Sequence, residues 1–175
     1  MDQNKINHYG DELYTALKTL TPVAPLTDRE SDITIEDAYQ IQQRMIQRRL
    51  DAGETIIGKK IGVTSKAVMN MLGVHQPDFG YLLDSMVFNE GESVDMDTLI
   101  QPKAEGEIAF LLKKDLQGPG VTAADVLADV EHRGFIDLTF PDDDLAVDLH
   151  LVEHQAHRLD RCPIGNVLVA TAKPF

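Results

Sequence analysis

The chain has 175 residues and a formal net charge of −13, with 43% hydrophobic and 26% charged residues. These proportions are ordinary for a globular protein, and the length is sufficient for one domain with a substantial core. The negative charge argues against nucleic acid and anionic membranes as partners, because both repel an acidic surface. No apolar run approaches membrane-spanning length, and the N-terminal residues do not resemble a secretory signal. A single cysteine, Cys162, excludes an internal disulfide and fits a reducing cytoplasm, so we expect a cytoplasmic protein.

The N-terminal region, residues 1–54, is predicted to be helical. The first helix covers residues 4–20, where apolar side chains recur at helical spacing at Ile6, Leu13, Leu17 and Leu20. A second helix is predicted from Thr34, because Thr34 and Asp37 have the spacing of a capping box. Gly53 suits the position after its C-terminus. Its predicted buried stripe consists of Ala38, Ile41, Met45 and Leu50.

The following region, residues 55–131, is predicted to be rich in β-strand. A strand interrupted by glycines is expected over 55–64, and a short helix capped by a serine over 65–72. A loop containing proline and glycine is expected over 73–80, followed later by a strand over 104–112. A helix from about Ala123 to Glu131, capped by Thr122, ends this region.

The remaining residues, 132–175, differ in character from the rest of the chain. Strands are expected near 135–140 and 166–172, and a helix over 145–159. This helix contains His150 and His154 in the H-x-x-E-H spacing of some zinc peptidases. Those enzymes are far larger and have further ligands, so a solvated, histidine-rich helix is the preferred interpretation.

Two glutamates lie two residues apart in the predicted strand 104–112. Alternation places Glu105 and Glu107 on one strand face with Ala109 and Leu111, so nothing nearby neutralises them. Two like charges at a half-buried position are costly unless a cation lies between them. Mg²⁺ or Mn²⁺ would suit this position, because hard divalent ions prefer oxygen ligands. The alternative is an edge strand whose two glutamates are solvated, which is a common pattern.

Three further polar positions are candidates for a site. Lys60, among glycines and apolar strand residues, could hold a carboxylate or enolate oxygen, or could be an ordinary solvated lysine. Gly62 and Thr64 would let a substrate approach the backbone, although the glycine could equally mark a bulge. Asp78, in Gln76-Pro-Asp-Phe-Gly, could be held rigidly for proton transfer or could be a simple turn residue.

Three blocks of sequence resemble one enzyme family in both order and spacing. They are Gly58-Lys-Lys-Ile-Gly-Val-Thr-Ser-Lys, Gln76-Pro-Asp-Phe-Gly-Tyr-Leu and Gln101-Pro-Lys-Ala-Glu-Gly-Glu-Ile-Ala-Phe. The chain resembles the 2-hydroxypenta-2,4-dienoate hydratases, in the hydratase/decarboxylase branch of the fumarylacetoacetate hydrolase superfamily, over residues 1 to about 131. The resemblance implies an α+β fold: a helical region (1–54), then a partial catalytic domain (55–131) that begins a fumarylacetoacetate-hydrolase-like mixed β-roll.

The resemblance also implies an activity. Family metal ligands fall on Glu105 and Glu107, and family active-site positions fall on Lys60 and Asp78. The implied enzyme is a Mg²⁺- or Mn²⁺-dependent hydro-lyase of aromatic meta-cleavage catabolism that hydrates the dienoate to 4-hydroxy-2-oxopentanoate. A homo-oligomer, or association with the pathway decarboxylase, is also implied.

Two alternatives stay open at this stage. The first is 4-oxalocrotonate decarboxylase, which shares the metal and the fold, although relatives that decarboxylate tend to lack the aspartate corresponding to Asp78. The second is a remnant without activity that associates with an intact paralogue.

The resemblance ends near residue 131, so 132–175 is expected to be a divergent tail. Relatives supply a third carboxylate ligand from a later strand, and by position it would fall on Leu138, which cannot bind metal. Asp137 is one residue away, but a slip of one residue places a strand side chain on the opposite face. We therefore expect a truncated, rearranged or frameshifted tail, and a chain that keeps the hydratase residues with little or none of the activity.

Overall fold

The computed structural model describes residues 1–89, 92–102, 106–137 and 167–171. Helices and strands both occur, which confirms the α+β class expected from the sequence. The backbone divides into two compact units. The helical unit consists of Met1–Thr55 and Val94–Pro102, and the sheet unit of Ile56–Ser93 and the described parts of Lys103–Phe175. Within the described ranges, no helix combines the length and apolar character needed to cross a membrane.

The helical unit consists of three α-helices, α1 (Gln3–Thr19), α2 (Leu26–Arg29) and α3 (Ile35–Asp51), with a 3-10 turn at Met96–Thr98. The predicted capping box is confirmed: the Asp37 amide donates to Thr34 Oγ1 at 3.1 Å, and Asp37 Oδ2 accepts from the Thr34 amide at 3.0 Å. These bonds satisfy backbone donors that the first turn of a helix leaves without partners.

The core of this unit lies between α1 and α3. Ile6, Tyr9 and Ile41 are its buried members, and Leu13, Leu26 and Ile33 pack against them. A Cβ built on Gly10 would overlap the side chain of Arg44 and lie 3.0 Å from the carbonyl oxygen of Ile41, so only glycine fits at this contact. The absence of a side chain there therefore permits the two helices to approach closely.

Part of the predicted apolar stripe is exposed. Ala38, which was predicted to lie in the buried stripe of α3, is exposed, whereas Ile46, which was not predicted, is buried. Helical periodicity identifies the apolar face of a helix, but it does not show how much of that face a partner covers. This part of the sequence prediction was therefore wrong.

Among the described residues, the sheet unit has five strands and two α-helices. They are β1 (Ile56–Gly62), α4 (Lys66–Leu72), β2 (Asp78–Leu83), β3 (Gly106–Leu112), α5 (Ala123–Asp129), β4 (Val130–Asp137) and β5 (Val167–Thr171). A 3-10 turn at Asp84–Met86 follows β2. The strand order is β2-β1-β5-β3-β4, with β1 parallel to β5 and every other pair antiparallel.

Local signals predicted the helix boundaries of this unit well. Ser65 caps α4, and Gly73 closes it with φ +67°. Thr122 caps α5 through a capping box with Asp125, but α5 ends at Asp129 because β4 begins at the next residue. The predicted extension of this helix to residue 131 was therefore wrong.

Two further expectations concern the strands and the tail. Asp78 was expected in a loop, and the structure instead makes it the first residue of β2. β5 comes from the segment 132–175 and pairs with both β1 and β3. The predicted helix over 145–159, with His150 and His154, lies outside the described residues, as does Leu138.

The capping box of α3 generates a stability prediction. Thr34→Ala removes the side-chain oxygen that accepts from the Asp37 amide, which should lower the free energy of unfolding by about 1 kcal/mol. Urea denaturation followed by far-ultraviolet circular dichroism measures this change. The control is Thr15→Ala, because the Thr15 hydroxyl donates only to the Asp11 carbonyl inside α1 and caps nothing. An equal loss in both variants would contradict the assignment.

Asp37 generates a pH prediction. The amino group of Met1, 2.8 Å from Asp37 Oδ1, and then the hydroxyl and amide of Thr34 lower the pKa of Asp37 from 3.8 to about 2. A lowered pKa favours the charged carboxylate in the folded state, so its stabilisation is present above pH 4 and is lost as the pH falls towards 2. The urea midpoint of the wild-type chain should therefore fall more steeply between pH 4 and 2 than that of Asp37→Asn. Parallel curves would refute this.

Candidate active site

The register of the sheet places four of the candidate positions, 60, 62, 78 and 107, on one face. Lys60 on β1 pairs with Val169 on β5, and Val169 pairs with Ala109 on β3. Paired residues on neighbouring strands lie on the same face of a sheet, and alternate residues along a strand share that face. We call this face, defined by positions 60, 62, 78, 107 and 109, the shared face.

The strand spacing sets the size of this arrangement. β1 and β3 flank β5, so their backbones lie about 10 Å apart, at about 4.8 Å for each strand spacing. Position 107 is two residues along β3 from Ala109, which is level with Lys60. A small carboxylic acid bound on this face could therefore contact residues of both β1 and β3.

Asp78 reaches over β1 because Gly62 has no side chain. The two residues are paired across the β1–β2 ladder, with Asp78 on an edge strand. A Cβ added to Gly62 would lie 3.0 Å from Asp78 Cγ and 3.3 Å from Oδ2, and it would overlap Oδ1. The carboxylate thus occupies the space above the backbone of β1, on the side of Asp78 that faces the sheet centre.

The lysines of β1 lie on opposite faces. Lys60 is half-buried on the shared face, whereas its neighbour Lys59 is exposed. Burial of the stem positions an ammonium group more firmly than free solvation does, which makes Lys60 the stronger candidate for holding a substrate anion. Thr64, the other backbone-approach candidate, follows the end of β1 and is exposed.

The residue after Gly62 has an unusual backbone conformation. Val63 has φ +56°, in the left-handed region that β-branched residues rarely adopt. Conformations of this kind cost of order 1–3 kcal/mol and cluster at functional sites. Valine is a typical strand residue, so this conformation was not predicted. Val63 directly follows Gly62, where the Asp78 carboxylate occupies the space above the backbone.

The structure describes the backbone of Glu107 but not Glu105. Glu107 is the second residue of β3, where its backbone pairs with Ile136 and Thr171, whereas Glu105 lies outside the described residues. The backbone of Asp137 pairs with that of Gly106 across the β3–β4 ladder.

The donor set has the right chemistry for a hard divalent cation. A strand position that carries a carboxylate, with a second glutamate two residues earlier in the sequence, supplies the oxygen ligands that such ions prefer. In the part of the chain whose side chains are described, no three His, Cys, Asp or Glu residues come together as a metal-binding group.

Two depressions occur elsewhere on the described surface. The larger, of about 310 Å³, is formed in the sheet unit by the segment 114–121 together with Asp125 and Asp129. The smaller, of about 190 Å³, is formed in the helical unit and includes Lys5, Glu30 and Asp37. Neither includes Lys60 or Asp78.

Comparison with curated proteins finds close relatives of most of the chain. A 2-hydroxypent-2,4-dienoate hydratase of Pseudomonas putida is 67% identical over 132 residues, which are 75% of this chain and 60% of that protein. A 2-hydroxyhexa-2,4-dienoate hydratase of Comamonas testosteroni is 57% identical over 132 residues, which are 74% of this chain and 50% of that protein. The chain thus spans between half and three fifths of the length of these two relatives. No protein-family model matches it.

Solved structures show the same fold. A 4-oxalocrotonate decarboxylase from Pseudomonas putida G7, complexed with calcium and acetate, has a TM-score of 0.70 at 30% identity and covers 78% of this chain and 54% of its own. A second structure of that enzyme, complexed with magnesium and adipate, has a TM-score of 0.70 at 24% identity and covers 99% of this chain and 65% of its own. The second likeness shows the fold alone.

The identity to the Pseudomonas and Comamonas enzymes and the shared fold agree with the three sequence blocks that suggested the family. Through its matched three quarters, this chain belongs to the hydratase/decarboxylase family that includes the 2-hydroxypentadienoate hydratases.

Proposed function

We propose that this chain carries the site of a hydratase that converts 2-hydroxypenta-2,4-dienoate into 4-hydroxy-2-oxopentanoate in aromatic meta-cleavage catabolism. The observation that supports this most is the placement of Lys60, Asp78 and position 107 on one face of the sheet. The name of the Pseudomonas putida relative, at 67% identity, supports the choice of substrate.

Glu105 and Glu107 would hold the metal ion in this proposal. Their carboxylates suit Mg²⁺ or Mn²⁺, and the decarboxylase structures of the same family contain magnesium or calcium. The bound ion would supply Lewis-acid stabilisation of negative charge on the oxygens of a 2-oxo acid.

Lys60 would hold the negative charge that develops on the substrate. The reaction turns the 2-hydroxyl group into a ketone, so electron density passes through a dienolate before the carbon atoms are protonated. A positioned ammonium group stabilises such charge more in the transition state than in the ground state, and this difference accelerates the reaction. Thr64 would let the substrate approach the end of β1, whereas the Asp78 carboxylate occupies the space above the backbone of Gly62.

Asp78 would move protons in this proposal. Water supplies the hydroxyl group that becomes bonded to C4, and its remaining proton and the enol proton end on C3 and C5. At least one group must therefore accept and return a proton near the reacting carbons. Asp78 is the candidate, because its carboxylate lies over the backbone of β1 on the face that Lys60 shares.

Decarboxylation of 4-oxalocrotonate is the second candidate function, and the likeness to that enzyme at 30% identity supports it. The relatives at 67% and 57% identity are named hydratases, which favours hydration. We also propose a cytoplasmic protein that forms a homo-oligomer or associates with the pathway decarboxylase. A partner without activity of its own is the function to consider if the chain shows no turnover.

Paired lysine variants test the charge assignment. Lys60→Met should reduce hydration of 2-hydroxypenta-2,4-dienoate by roughly 10²-fold or more, because it removes a preorganised charge from the site. Lys59→Met is the matched control, since Lys59 is exposed on the other face. The measurement is loss of the ultraviolet absorbance of the dienoate at saturating Mn²⁺. Equal losses in both variants would show that the face of β1 does not matter.

Asp78→Asn tests the proton-transfer assignment. The change keeps the size of the side chain but removes its ability to accept a proton, so kcat should fall by about 10²–10⁴-fold with little change in KM. Steady-state kinetics of the purified chain measure both constants. A wild-type chain without turnover above background would contradict an active hydratase, and an unchanged kcat in Asp78→Asn would refute the role of Asp78.

Glutamine substitutions test the metal assignment. Glu105→Gln or Glu107→Gln should weaken Mn²⁺ binding, and the double variant should abolish it, because affinity for hard ions follows the number of charged oxygen ligands. Isothermal titration calorimetry with MnCl₂ measures this directly and needs no activity. Glu36→Gln, on α3 in the helical unit, is the control. Unchanged Mn²⁺ affinity in the double variant would remove both glutamates from the site.

A further inference from the structure

We propose that Gly62 is a positioning residue for Asp78. Because Gly62 has no side chain, the Asp78 carboxylate can lie in the space that a Cβ at position 62 would occupy. This inference rests on the proposed role of Asp78 in proton transfer. The evidence is the contact itself, because a Cβ on Gly62 would meet all three terminal atoms of the Asp78 side chain, with Cγ at 3.0 Å and Oδ2 at 3.3 Å.

The backbone on both sides of Gly62 is held in place, so the strand cannot easily move to admit a side chain. Gly62 is buried and pairs with Asp78 in the β1–β2 ladder, while the preceding residue, Ile61, pairs with Phe79 on β2 and with Ala170 on β5. The next residue, Val63, has a left-handed backbone that ends the strand. The side chain of Asp78 is therefore the part that would have to yield.

An aspartate side chain can yield by rotating about χ1 to another staggered position. The substitution Gly62→Ala should therefore leave the fold intact and turn the carboxylate away from the shared face. A displacement of about 1 Å in a reacting group can cost about 10²-fold in rate. Gly62 thus affects proton transfer through Asp78, without contacting the reacting atoms in this role.

Gly80 provides a matched control on the neighbouring strand. It is also a β-strand glycine with an ordinary negative or extended φ, but a Cβ added there meets nothing within 4 Å. Ala at position 80 therefore adds the same methyl group and the same change in chain entropy without displacing Asp78.

The kinetic test compares Gly62→Ala, Gly80→Ala, Asp78→Asn and the double variant Gly62→Ala/Asp78→Asn in the full chain. Gly62→Ala should lower kcat by about 10²-fold with KM nearly unchanged, and Gly80→Ala should lower kcat far less. In the Asp78→Asn background, Gly62→Ala should cost nothing further, because residues that act through one group are not additive. Additive losses, or a kcat loss in Gly80→Ala equal to that in Gly62→Ala, would overturn the proposal.

A second measurement does not depend on turnover. The side-chain carboxyl ¹³C resonance of Asp78, identified by its absence in Asp78→Asn, should move in Gly62→Ala and stay in place in Gly80→Ala. An unmoved resonance in Gly62→Ala would overturn the positioning role even if kcat falls. If the wild-type chain shows no turnover, the proposed function fails, and this resonance still decides whether Gly62 places the carboxylate.

Discussion

Strand β5 is the element on which the candidate site depends, because it lies between β1 and β3 and sets their register. Its pairing brings Lys60 level with Ala109, and therefore brings position 107 onto the face that carries Gly62 and Asp78. Strand alternation allows no intermediate arrangement, since a slip of one residue would move a whole set of side chains to the opposite face. The two strands that carry the candidate positions, β1 and β3, are thus joined through β5 by backbone hydrogen bonds.

The edge position of β2 has a different role. An aspartate on an edge strand can be oriented towards solvent or towards the sheet, and here the neighbouring glycine of β1 decides between them. Gly62 on β1 leaves space for the side chain of Asp78 on β2. In the same way, Gly10 of α1 leaves space for the side chain of Arg44 of α3. In both places the absence of a Cβ determines where a charged side chain lies.

Features that depend on neighbouring residues, such as helix caps, were predicted better than features that depend on residues far apart in the chain, such as strand pairing. The helix caps at Thr34 (with Asp37), Ser65 and Thr122 were predicted correctly, because a helix cap depends on residues within one turn. The three motif blocks named the candidate residues, but they could not show that Asp78 begins a strand, because strand pairing depends on partners far away in the chain. The exposure of Ala38 could not be predicted for a similar reason, since periodicity does not reveal how far a packing partner extends.

The central position of β5 also affects the order in which the protein can fold. Gly58 pairs with Val167, about 100 residues later in the sequence, whereas the contacts between α1 and α3 join segments only about 35 residues apart. Contacts of long sequence separation form late, because closing a long loop costs entropy before the contact is gained. On a ribosome the helical unit could therefore assemble early, while β1 and β3 would wait for β5 to be synthesised. Until then, the edges of β1 and β3 would present unpaired backbone groups that other chains could bind.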